Sequence, residues 1–212
     1  SSSRQEERFL DVRGIGVKTS LDRPADVLVV MLGMNDVLAP YVSADPASLE
    51  RWSDDYRALV EALRQRVHPK VVALATITMN TEDPASPKNR LMDQLNRRVA
   101  MLAEQLGCRL LRTGEAVSDV LQRGRRLQPD FHVTYDFVHP NEAGHLGIAM
   151  AMLEGLGEPA AAKRIADQRL ARVLSIAAGQ GLSLSYQWTP LAGSLDGQTQ
   201  KFRVHYWCGA AT

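Results

Sequence analysis

Apolar positions along the chain alternate between two kinds of pattern. Residues 26–33 (DVLVVMLG) form a nearly unbroken apolar run closed by glycine, the pattern of a parallel strand buried on both faces. Over Pro46–Val67, Leu49, Trp52, Tyr56, Leu59, Leu63 and Val67 return at helical spacing. Asp45 supplies a cap for that helix and Pro46 suits its first turn. Residues 70–77 (KVVALATI) repeat the strand pattern. Residues 87–106 repeat the helical one, with Leu91, Leu95, Val99, Leu102 and Leu106 on one stripe and Gly107 as the stop. A third, short strand is expected over 108–111 and a weaker helix over 113–121, leading into a polar loop. Asn141 reads as the cap of a further helix reaching Leu156.

Strands alternating with helices imply a parallel sheet covered on both sides, an α/β/α arrangement of three layers. Functional residues in such sheets collect in loops at the carboxyl ends of strands, here after Gly33, after Ile77 and before Asn141. The tail differs. Residues 160–178 read as a helix stopped by Gly179. Then Leu182, Leu184, Tyr186 and Trp188 alternate with polar residues, as do Phe202, Val204 and Tyr206, with a turn signal at Asp196-Gly197. The division expected is an α/β domain over 1–158 and a C-terminal helix and β-ribbon over 159–212. Because a lone ribbon is marginal, it reads as the start of a second β module cut at Thr212, in preference to one packed on the main domain.

Composition narrows the function classes. The 212 residues are 45% hydrophobic and 23% charged, with a formal net charge of +1, which fits a globular domain and argues against a general polyanion binder. Arg123, Arg125 and Arg126 read as a solvated helix end or loop, so no nucleic-acid partner is expected. Cys108 and Cys208 have neither zinc spacing nor redox pairing, and Cys108 reads as a buried small hydrophobe. No apolar run approaches the roughly 18 residues of a membrane span. The chain opens on Ser1 without methionine, so its natural start is expected upstream.

Two short motifs fall in the loops singled out above. Gly33-Met34-Asn35-Asp36 follows the first strand. An asparagine there can aim its amide into the crevice and donate to a developing oxyanion; in isolation, however, the motif reads first as an Asn-Asp turn, and Asp36 reads as a brace for it. Asp136-Phe137-Val138-His139-Pro140 precedes a helix start. A hydrolytic histidine needs an acceptor that fixes its tautomer and stabilises its imidazolium, and an aspartate three residues earlier on a tight loop can reach it. Taken alone, that motif reads first as a surface loop whose aspartate caps a turn and whose histidine is incidental. Together, the two motifs stand about a hundred residues apart in the order donor, then Asp-His.

On these residues the chain resembles the SGNH hydrolase family, whose members carry Ser, Gly, Asn and His in four sequence blocks. Gly33–Asp36 looks like the block bearing the oxyanion-hole asparagine. Asp136–His139, with the following Pro140 and Gly144-His145, looks like the last block. Arg13-Gly14-Ile15-Gly16-Val17-Lys18-Thr19 resembles the glycine block, though it reads equally as a glycine-rich turn feeding a helix; an ungapped alignment puts Val17 at the donor position, and a one-residue shift puts Gly16 there. The resemblance implies a flavodoxin-like three-layer fold and ester hydrolysis with His139 as base, Asp136 as its orienting acid, and Asn35 and Gly16 at the oxyanion hole. It implies no cofactor. Gly-Asp-Ser, which would carry the nucleophile, occurs nowhere in the sequence. No serine is therefore assigned, and the first strand of the sheet is expected to be missing, leaving the fragment inactive by itself.

Small acyl esters, O-acetyl groups on carbohydrates in particular, suit an open site in the loops of a doubly wound sheet, and the resemblance also admits lipid esters and thioesters. His132, His139 and His145 fit no common metal site, so no metal is expected. Tyr186, Trp188 and Trp207 read as packing residues rather than a sugar platform. One rival is a non-catalytic binding domain of the same fold. Another is a flavodoxin-like phosphate binder, for which Gly14-Ile15-Gly16 is too short and no Walker pattern exists. Compartment, a secreted or periplasmic one included, and oligomeric state are left open.

Overall fold

A computed structural model describes residues 24–188 and 202–209, with side chains described over 24–179. Three strands, β1 (Val27–Val30), β2 (Val71–Ala75) and β3 (Arg109–Leu111), lie side by side in that order and all run parallel. The helices between them are α1 (Met34–Leu38), α2 (Pro46–Val67) and α3 (Pro87–Gln105), and α4 (Thr113–Leu127) and α5 (Glu142–Leu156) follow β3. This is the α/β architecture expected from the alternation of periods.

Each long helix begins where its capping chemistry dictates. The Asp45 side chain accepts from the Ser48 amide at 3.0 Å, Ser86 caps α3 through the Asn89 amide at 3.1 Å, and Asn141 caps α5 through the Gly144 amide at 3.2 Å. Each of these bonds satisfies an otherwise orphaned N–H of a first turn. On one face of the sheet, Val30, Val72 and Leu74 pack with Tyr56, Val60 and Leu63 of α2 and with Val99 and Leu102 of α3. On the other face, Ala73, Ala75 and Leu111 meet Met152 and Leu156 of α5.

β1 departs from expectation. Its run of apolar residues was expected to be buried on both faces, but Val27, Val29 and Met31 are 44, 38 and 40% exposed. Among the described residues α5 covers that face only over β2 and β3, and β1 pairs only with β2. β2 does meet the expectation, being buried from Val72 onward. The fourth helix is longer than the expected 113–121. Its buried stripe of Val117, Val120 and Leu121 continues through Gly124, against which the Phe131 ring packs so closely that a Cβ would lie 2.1 Å from it. Arg123, Arg125 and Arg126 therefore lie in the last turns of a helix, where cations suit the dipole; Arg125 is turned inward rather than solvated. Cys108 is half-buried beside the α2–α3 cluster, and its sulfur accepts from Arg64 at 3.1 Å.

Beyond α5, the chain is helical from Pro159 as α6 (Pro159–Ile165), a π-wound stretch Ala166–Leu170 and α7 (Ala171–Ser175). It breaks at Gly179 with φ of 77°. β4 (Gly181–Trp188) and β5 (Phe202–Gly209) then pair antiparallel. The turn expected at Asp196-Gly197 lies outside the described residues. No helix among those described is long and apolar enough to cross a membrane.

Candidate active site

The loop after β1 is held from two sides. Gly33 has φ of 124°, a conformation that favours glycine, and it turns the chain into the single-turn helix α1. Asn35 therefore sits in a helix rather than in the simple turn its neighbours suggested. Its side chain is exposed and has no hydrogen-bond partner among the described residues. Its neighbours anchor it: the Trp52 indole N–H donates to Asp36 Oδ2 at 3.0 Å, and Val37 packs with Leu49, Ile77 and Met92. Asp36 thus braces the turn, fastening α1 to α2 across 16 positions.

The loop before α5 closes on itself. Thr134 bridges Pro140, the Tyr135 amide donates to the His139 carbonyl at 2.9 Å, and the Asn141 amide donates to the Val133 carbonyl at 2.9 Å. Phe137 at the tip takes a positive φ of 68°. Inside this loop, Asp136 Oδ1 accepts from the amides of His139 at 2.8 Å and Val138 at 3.1 Å. Its other oxygen lies 2.6 Å from His139 Nδ1. The pairing expected from sequence is therefore made. With Asp136 ionised, Nδ1 carries the proton and donates it, which leaves Nε2 as the basic nitrogen, without a partner among the described residues.

The same bonds hold the Asp136 carboxyl down at about 2, through the His139 amide first and then the His139 ring. An unfolded aspartate titrates near 3.9, so the folded value is depressed. The stabilisation it brings is present above the unfolded value and is lost as pH falls through about 2. A carboxyl-carbon NMR titration of Asp136 is expected to show its midpoint near 2; a midpoint near 4 would mean that the loop does not hold the carboxylate.

The base of this loop rests on a buried acid that sequence reasoning missed. The Glu82 side chain is 2% exposed. Its Oε1 accepts from the Val133 amide at 2.8 Å, the Thr134 amide at 2.9 Å and the Thr134 hydroxyl at 2.7 Å. Its Oε2 lies 2.5 Å from His132 Nδ1 and 3.1 Å from Arg125 Nη2. Burial alone would raise its pKa, but the hydrogen bonds from Thr134, His132 and Val133 outweigh burial and lower it. In the sequence Glu82 stands in the polar stretch TEDPAS, where nothing marks one acid as buried. The only hint was its position after the second strand.

The ends of the strands converge. The Thr113 hydroxyl contacts Met31 Sδ at 3.8 Å and donates to the Thr76 carbonyl. Ile77 packs with Val37 of α1, and Met79 packs beside the cluster containing Val133. The Asn35 loop and the His139 loop thus both lean on the segment that follows β2. Gly16 and Val17 lie outside the described residues. A cleft of about 560 Å³ opens between α3 and α4, lined in part by Asp93, Arg97 and Gln122; none of Asn35, Asp136 and His139 borders it. Among the described residues, no group of three or more His, Cys, Asp or Glu side chains is placed to hold a metal ion.

A model of the GDSL-like lipase/acylhydrolase family matches residues 2–146. An acetylxylan esterase from Geobacillus stearothermophilus is 31% identical over 137 residues, 62% of this chain and 59% of that protein, so the chain spans about three fifths of that relative's length. A solved acetylxylan esterase from the same organism superposes with a TM-score of 0.54 at 25% identity, covering 74% of this chain and 68% of that one. An α/β hydrolase from the metagenome of Lake Arreo, Spain, gives 0.53 at 25% identity over 74% of this chain and 66% of its own. The solved forms of the Geobacillus enzyme include catalytic mutants with a serine, an aspartate or a histidine changed to alanine, the last two standing three positions apart. With the greater part of its length matched, and with the Asn35 and His139 loops both inside the matched segment, the chain belongs to the GDSL-like lipase/acylhydrolase family.

Proposed function

We propose that this chain is the greater part of the catalytic domain of a serine-type esterase that cleaves small acyl esters, O-acetyl groups on carbohydrates foremost. The observation that carries this reading is the Asp136–His139 pair, its ring 2.6 Å from the carboxylate with Nε2 left over as base. Kinship with an acetylxylan esterase supports the acyl group and the carbohydrate.

In the reaction, a serine hydroxyl attacks the ester carbonyl carbon while His139 Nε2 takes its proton. The carbonyl oxygen becomes an oxyanion, which Asn35 and a backbone N–H near Gly16 hold by hydrogen bonds. Collapse breaks the bond to the leaving alcohol, which takes the proton back from His139. Water then repeats the sequence on the acyl-enzyme and releases the carboxylic acid. Asp136, ionised throughout, keeps the ring in the required tautomer. The serine is assigned to no position in this chain.

The test is a substrate panel on the full-length natural protein: p-nitrophenyl acetate, p-nitrophenyl octanoate and acetylated xylo-oligosaccharides. Higher kcat/KM on the acetyl compounds, by about tenfold or more as expected for a site built around a short acyl group, supports the proposal. A preference for octanoate overturns the substrate class. Hydrolysis of none of them leaves the alternative, a non-catalytic binding domain of the same fold.

A further inference from the structure

We infer that Glu82 is a positioning residue for His139: it sets the register of the loop that aims the imidazole, without touching the imidazole itself. The inference rests on the reading of His139 as the general base.

Five donors converge on this one carboxylate, from the Val133 amide, the Thr134 amide and hydroxyl, the His132 ring and the Arg125 guanidinium. A carboxylate offers about four lone-pair sites and no donor, so its accepting capacity is fully used. The Glu82 carbonyl accepts again from Arg125 at 2.8 Å, which fixes the backbone carrying the acid. The contacts with Thr134 and Val133 lead on into the loop that carries His139. Thr134, whose amide and hydroxyl both bind Oε1, bridges Pro140, and Tyr135 donates to the carbonyl of His139. Val133, whose amide Glu82 also holds, accepts from Asn141, the cap of α5. The two legs of the loop are thus cross-tied, and Glu82 holds one of them 50 positions away in sequence. Asp136 bonds the ring, and Glu82 holds the leg of the loop, residues 132–134, that leads into Asp136, so slack in that leg reaches the Asp136–His139 bond.

The chemistry requires an acceptor-only group. Glutamine has nearly the same shape, but its NH2 would face either the Val133 and Thr134 donors or the Arg125 guanidinium, donor against donor. Glu82→Gln therefore loosens the base of the loop while leaving no cavity. Thr134→Val removes one of the three donors on Oε1 and acts in the same direction, less strongly.

The experiment is 15N NMR of the histidine rings in this chain, with His139 assigned by its disappearance in His139→Ala. It is joined by kcat and KM of the same variants in the full-length natural protein, assayed below their melting temperatures. In the wild type, the His139 Nδ1 proton is expected as a hydrogen-bonded, downfield resonance. In Glu82→Gln that signal shifts toward free imidazole, and kcat falls about tenfold to a hundredfold with KM within about twofold, the size expected for a small misplacement of a catalytic group. Should Glu82→Gln fail to fold, Thr134→Val carries the test and must move the same resonance in the same direction. A lower melting temperature with the His139 ring unmoved would make Glu82 a folding anchor only and overturn the inference. A moved ring in Glu82→Gln, alongside unimpaired hydrolysis by His139→Ala, would uphold the positioning role and sink the esterase reading instead.

Discussion

Changing His139 to alanine in the full-length natural protein is expected to lower kcat by about a thousandfold or more while KM stays within a few-fold. The argument is geometric. His139 is 76% exposed in its side chain, so the substitution leaves no buried cavity and should not disturb the fold. What is lost is the only nitrogen that the Asp136 arrangement leaves free to take a proton. Asp136→Asn is expected to cost at least a comparable factor, for a different reason. An asparagine keeps one oxygen for the His139 and Val138 amides, which now lie 2.8 and 3.1 Å from Oδ1. Its NH2 would then face Nδ1 and favour the tautomer that places the proton on Nε2, where the base is needed. A carboxylate replaced by its amide in this role has a cost of order ten-thousandfold in kcat. Steady-state kinetics with far-ultraviolet circular dichroism as a folding control decides the matter. Activity within about tenfold of wild type in His139→Ala would remove the histidine from the mechanism.

How much of this was legible in the sequence follows from how far apart the interacting residues lie. The Asp136–His139 contact spans three positions and needs only a tight loop, so it was legible once the motif was taken together with Gly33–Asp36. The helix of Pro46–Val67 was legible to the residue because its apolar stripe and its Asp45 cap lie within the segment itself. The end of α4 was not, because the buried stripe passes through Gly124, which has no side chain to signal burial and is covered by Phe131 from the following loop. The exposure of Val27 and Val29 was hidden for the converse reason. An apolar run records which faces can be buried, and helix placement decides which are. Glu82 was least legible of all. Its donors come from Arg125 and residues 132–134, and no local pattern distinguishes an acid waiting for distant partners from one on the surface.

The second large effect concerns the turn that presents Asn35. Gly33→Ala is expected to destabilise the fold by about 3 kcal/mol or more, from two separable sources. Backbone at φ of 124° is strained for any residue with a Cβ, at about 1–3 kcal/mol. A Cβ there would also lie 2.4 Å from Ile77 Cδ1 and 3.2 Å from the Trp52 ring, and forcing an extra carbon into packed surroundings adds about 1–3 kcal/mol. Gly107→Ala is the control, since it has φ of 62° and nothing within 4 Å of the new carbon, so only a backbone cost of about 1–2 kcal/mol applies. Urea denaturation of both variants separates the two contributions. Ile77→Val, which deletes the clashing methyl, should recover part of the Gly33→Ala loss but none of the Gly107→Ala loss. Because Gly33 leads directly into α1, the folded Gly33→Ala variant of the full-length natural protein should also show a reduced kcat through a displaced Asn35. Equal losses at Gly33 and Gly107, with Ile77→Val rescuing neither, would show that the end of β2 gives way to the added carbon. The junction of β1 and α1 would then be a yielding one rather than the rigid mount that an oxyanion donor requires.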